Sequence, residues 1–161
     1  MKRLSSFFAA ALVTTAFAAP AFAASPDIYV VNFRNAQDSN SARLDGQLAS
    51  ALAISGVNAE EVIIDTSTAA KWEKGAHEAF DRDIVPVFNQ WVGLPGFAAV
   101  VDAKSKKVIG CVNSSFTSTE MAEKIRQMAA ISEGSAYMSR ASVSTKTTRC
   151  PAAHNVDPAG L

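Results

Sequence analysis

The chain is poor in the residues that carry most catalytic chemistry. Its 161 residues include two cysteines, Cys111 and Cys150, and two histidines, His77 and His154. That count excludes a cysteine-rich metal centre or a disulfide-dense scaffold. A metal site would have to combine His154 with Cys150 and Asp157, whose spacing matches no known ligand pattern. No glycine-rich phosphate loop, Ser-His-Asp constellation or paired-carboxylate motif stands out, and no cofactor is implied. Fifteen basic side chains balance fifteen acidic ones, which leaves no electrostatic case for nucleic acid or an anionic membrane as partner. Beyond the first two dozen residues no apolar run is long enough to span a bilayer. There is no internal repeat.

The first residues are of a different kind. Met1-Lys2-Arg3 is a short basic start, and no charge follows until Asp27. The apolar stretch around Phe7, Phe8, Leu12, Val13 and Phe17 is broken by Pro20, and Ala21-Phe22-Ala23 supplies a small-x-small cleavage pattern. This reads as a secretory signal peptide over residues 1–23, too short and alanine-rich for an anchor. The mature protein would then be exported, periplasmic or secreted, into an oxidising compartment.

Within residues 24–131, Ile28–Phe33 is a continuous β-favouring apolar run and reads as a buried strand. Leu44, Leu48, Ala51 and Leu52 recur at helical spacing, with Gly56 as the stop. Val62–Asp65 is a second strand, parallel to the first in a βαβ unit. Trp72, Ala76, Ala79 and Phe80 suggest a helix, and Pro86 through Trp91 another with proline in its first turn; a strand over Ile84–Phe88 is the alternative. Phe97–Val101 and Lys107–Val112 predict an antiparallel hairpin around the polar turn at 102–106. Thr117 and Glu120 fit a capping box, Phe116 can staple onto Met121, and Met121, Ile125 and Met128 form the buried stripe of a last helix. Glu120 and Lys124 add a favourable helical pair. Residues 132–161 turn to Ser, Thr and Ala without apolar periodicity and read as a loosely docked tail.

Two stretches carry a resemblance. Phe33 to Leu48, F-R-N-A-Q-D-S-N-S-A-R-L-D-G-Q-L, resembles the thioredoxin-family segment in which a strand ends and a C-x-x-C motif opens the first helix. Ser39 and Ala42 fall at the two cysteine positions, Arg43, Leu44 and Leu48 match the residues behind them, and Gly46 stands where the family often has a proline. Val92-Gly93-Leu94-Pro95-Gly96-Phe97, with the strand, turn and strand after it, is similar to the family's cis-proline segment. The resemblance implies an α/β, thioredoxin-like fold: a central mixed β-sheet flanked by helices in the order β-α-β, α, β-β-α. It also implies that dithiol exchange is lost, because a serine hydroxyl and an alanine methyl cannot replace an activated thiolate and its resolving thiol.

Several candidate sites follow. Ser39, Asn40 and Ser41 open the first helix, where free backbone N–H groups can hold an anion or peptide carboxylate; plain N-capping by Asp38, Ser39 or Ser41 is the competing reading. Pro95 could present the backbone of Leu94 to an extended peptide, as cis-prolines do in the resembling family, or simply aim the next strand. Cys111 and Cys150 are expected to pair, closing a loop of roughly 40 residues worth about 4 kcal/mol in the chain-entropy treatment. Trp72, Phe88 and Trp91 are core or groove aromatics. The functional expectation is an exported, non-catalytic domain that binds a protein or peptide through a groove between Ser39 and Pro95. The alternatives are a thiol oxidoreductase using Cys111 and Cys150, and a small-ligand or metal carrier.

Overall fold

The computed structural model describes residues 25–132 and 149–153. The expected signal peptide over 1–23 and most of the 132–161 tail lie outside the described residues.

Strand β1 (Ile28–Arg34) sits centrally and is buried along nearly its whole length. Its apolar continuity follows from having a core on each side. Ile28 and Val30 face one core, while Tyr29, Val31 and Phe33 face the other. Strand β2 (Ala59–Asp65) pairs with it in parallel, and β3 (Phe97–Asp102) pairs with it antiparallel. Strand β4 (Val108–Asn113) completes the antiparallel hairpin with β3. The sheet order is β2-β1-β3-β4, so β3 alone runs against the other three. The result is an α/β architecture with a mixed central sheet and flanking helices, compatible with a thioredoxin-like fold.

Helix α1 (Ser39–Ser55) and helix α4 (Ser118–Ser132) cover one face. Leu44, Leu48 and Ala51 of α1 meet Met121, Ile125 and Met128 of α4 over Val30, Ala98 and Val100. Gly56 ends α1 with φ +67°, the left-handed cap expected there. The capping box before α4 is reciprocal: Thr117 N–H donates to Glu120 Oε2 at 2.8 Å, and Glu120 N–H donates to Thr117 Oγ1 at 3.3 Å. Phe116 and Met121 lie in the same buried cluster.

Helix α2 (Ala69–Asp81) and the short α3 (Val85–Trp91) cover the other face. The expected proline-initiated helix is α3, and the strand alternative for 84–88 is set aside. Two expectations need correction. Strand β2 starts at Ala59 rather than Val62, because β1 offers parallel partners from Ile28 onward and acidic residues are tolerated on a sheet edge. And α2 does not bury its aromatics. Its buried residues are Gly75 and Ala79, while Phe80 is 74% and Trp72 46% exposed. A Cβ on Gly75 would lie 3.4 Å from the Ile64 backbone, so small residues let the helix approach β2 and rotate the large ones outward.

Candidate functional site

Strand β1 delivers the chain into a polar turn at 35–38, and Asp38, in extended conformation, caps α1. Its Oδ2 accepts from the backbone N–H of Ser41 at 2.8 Å and from the Ser41 hydroxyl at 2.9 Å. The Ser41 hydroxyl in turn accepts from Asn35 N–H at 3.1 Å. These bonds, the Ser41 hydroxyl first, hold the Asp38 carboxyl below the usual carboxylate range. The helix start therefore already carries an anionic group from its own chain, as the capping reading expects. Ser41 is buried and occupied by this network, whereas Ser39 and Asn40 face solvent. Asn40 Oδ1 accepts from Ser114 Oγ at 3.4 Å, linking the helix start to the loop after β4.

The loop from Val92 to Gly96 packs against this helix start. Leu94 N–H donates to Trp91 O at 3.0 Å, and Gly96 N–H donates to Phe33 O at 2.9 Å. Gly93 and Gly96 turn the chain at φ +89° and +91°. At Gly96 an added Cβ would come within 3.0 Å of Asp38 Oδ2 and 3.2 Å of Asn40 Cβ, so only glycine fits there without displacement. The loop thus sets half-buried Leu94 and exposed Pro95 beside the α1 start. The Leu94–Pro95 bond is trans: no cis peptide bond occurs among the described residues. This corrects the cis-proline expectation. The two left-handed glycines make the turn that a cis bond would otherwise make.

Cys111 and Cys150 lie at bonding distance, S–S 2.00 Å and Cα–Cα 4.9 Å, and no described cysteine is free. Cys111 belongs to the core on the α2/α3 face, the side opposite α1. Trp91 Nε1 donates to Pro151 O at 3.1 Å, so residues around Cys150 lie over α3. Trp91 is buried and stands edge-on to Phe33 and Phe97. Phe88 is buried as well, with Trp72 edge-on to it at 5.8 Å. His77 is exposed on α2, and His154 and Asp157 lie outside the described residues. Among the described residues no three acidic, His or Cys side chains group as metal ligands, and no helix is long and apolar enough to cross a membrane.

A second polar cluster escaped sequence reasoning. Asn32 is buried in the middle of β1, and its Nδ2 donates to Asp45 Oδ1 and Glu61 Oε1, both at 3.0 Å. Arg34 pairs with Asp45 at 2.9 Å and approaches Asp65 at 3.5 Å, and Lys71 reaches Asp65 at 3.1 Å. Burial opposes ionisation of Asp65, but the Ser67 hydroxyl and amide and the Lys71 ammonium outweigh it and bring the carboxyl down to about 2. A cleft of about 410 Å³ opens beside this cluster between β2 and α2, with Lys74, Glu78 and Arg82 on its helix side. The available signal was an asparagine inside an apolar run and three acids in a strand. Each reads singly as an exception; the parallel register brings Glu61 and Asp65 beside Asn32 and Arg34, and α1 adds Asp45.

Comparison with protein-family models, curated proteins and solved structures found no match.

Proposed function

We propose that this chain is an exported thioredoxin-like domain that has lost dithiol exchange and binds a protein or peptide partner. The binding surface is formed by Ser39, Asn40, Leu94 and Pro95. The observation that carries the reading is the placement of sulfur: the helix start has Ser39 and Ala42, while the two cysteines are joined to each other on the opposite face of the sheet. The mixed sheet with β3 antiparallel supports the fold assignment. The close packing of Gly96 on Asp38 and Asn40 supports a single surface made from the loop and the helix start. Because Asp38 caps the helix, the surface offers hydrogen-bonding amide and hydroxyl groups beside an apolar knob, rather than an open anion site.

The test is site-specific photo-crosslinking in the exporting cell. A crosslinker at Leu94 should capture a discrete partner that one at exposed Phe80 does not, and Asn40→Lys should weaken the capture. Equal labelling from both positions would overturn the reading. In a disulfide-reduction assay the unsubstituted protein should be inactive. Turnover abolished by Cys150→Ser would favour the oxidoreductase alternative.

A further inference from the structure

Residues 149–153 form neither helix nor strand. Two interactions fasten them among the described residues: the Cys111–Cys150 bridge and the hydrogen bond from the Trp91 indole to the Pro151 carbonyl. Cys150 also packs at the margin of the α2/α3 core. The bridge is asymmetric in access, since Cys111 is 3% exposed whereas Cys150 is only partly covered. What the segment covers is also particular. Trp91 is the last residue of α3, and its carbonyl accepts the Leu94 amide that sets the neighbouring loop.

We propose that the Cys111–Cys150 disulfide is a redox latch that holds residues 149–153 as a strap over Trp91, and that a dithiol reductant releases the strap without unfolding the domain. The reductant's thiolate attacks Cys150 Sγ, the accessible sulfur. The S–S bond breaks, and Cys111 leaves as a thiolate and takes up a proton. The reductant's second thiol then displaces Cys150, which departs as a thiol, and the reductant closes its own disulfide. Two electrons and two protons pass to the protein. Once the bridge is open, the hydrogen bond and the marginal packing of Cys150 that remain among the described residues do not offset the entropy of ordering five residues. The strap leaves, and the indole edge of Trp91 meets solvent next to the 92–96 loop. The aromatic contacts of the core beneath do not pass through the bridge: Phe33 stacks on Phe97, and Trp91 stands edge-on to both. The proposal stands independently of the docking surface, because its readout is the environment of Trp91.

The experiment compares the oxidised full-length mature chain, in a Trp72→Phe background, with the same chain treated with dithiothreitol. Acrylamide quenching of Trp91 should rise three-fold or more and its emission should move to the red, while the β1 and β3 amides remain protected and exchange faster only by the global stability lost with the bridge. Cys150→Ser should resemble the reduced chain with or without reductant. In the chain with both tryptophans, exchange at residues 149–153 and at the Trp91 indole should give the same result. Quenching unchanged on reduction and in Cys150→Ser would overturn the proposal, because the strap would then hold without its bridge. Loss of β1 and β3 protection together with the strap would overturn it too, because the bridge would then be holding the domain.

Discussion

At the scale of single residues, two positions show how narrow the tolerance around α1 is. Gly96 combines φ +91° with a space that a methyl group would share with Asp38 Oδ2. Gly96→Ala should therefore lose about 1–2 kcal/mol from the left-handed backbone alone, with a further loss from displacing the Asp38 cap. Thermal denaturation measures the total. Asn32 is the sharper case. Its amide nitrogen lies between the carboxylates of Asp45 and Glu61 and neutralises neither; it only hydrogen-bonds to both. Asn32→Asp removes two donors and places a buried negative charge beside two half-buried carboxylates. We expect a loss of about 3 kcal/mol or more at neutral pH, partly recovered as the medium is acidified. Denaturant unfolding at pH 7 and pH 5 distinguishes this from a packing defect, which would not respond to pH.

At the scale of elements, legibility followed burial. β1, β3, β4 and α4 could be read because their apolar residues recur with the period of the element that buries them, as in Met121, Ile125 and Met128. The bridge was legible from an even count of cysteines together with the expectation of export. The faces of α2 could not be read. Trp72 and Phe80 outweigh Gly75 and Ala79 in any hydrophobic count, yet closeness to β2 selects the small pair. The α1 capping network was half legible: Asp38 and Ser41 were both among the expected caps, and Ser41 was also a groove candidate; Asp38 is the cap, and Ser41 is buried beneath it. The β2 cluster was illegible because its charges lie on four separate elements, β1, α1, β2 and α2. The connections between elements are also where acid should act. Asp65 joins β2 to the α2 start through Ser67, and Asp102 joins the β3–β4 turn to the end of α4 through the Ser105 amide and the Ser132 hydroxyl. The Ser132 hydroxyl first, then the Ser105 amide, bring Asp102 to about 2, as for Asp65. A carboxyl depressed in the folded state stabilises above its unfolded value, and that contribution is lost as pH falls through the folded one. Stability should therefore be level down to about pH 4 and decline toward pH 2, with Asp102→Asn flattening part of the fall. Urea unfolding across that range checks it.

At the scale of the whole molecule, the bridge links residues 39 apart in sequence. Relative to the reduced chain, the oxidised protein should gain roughly 4 kcal/mol if loop closure in the unfolded state dominates. Guanidinium unfolding with and without reductant measures the difference, and both transitions should remain cooperative. The same bridge gives the backbone a ring, running from β4 through α4 and back, that contains half of one helical layer. A ring changes what a cut means. Cleavage before residue 111 or after residue 150 gives two chains that separate on denaturation, whereas a single cleavage between them leaves one covalent molecule of nearly unchanged mass until the sulfurs are reduced. A domain that carries α4 inside such a ring stays one covalent molecule after its first nick there.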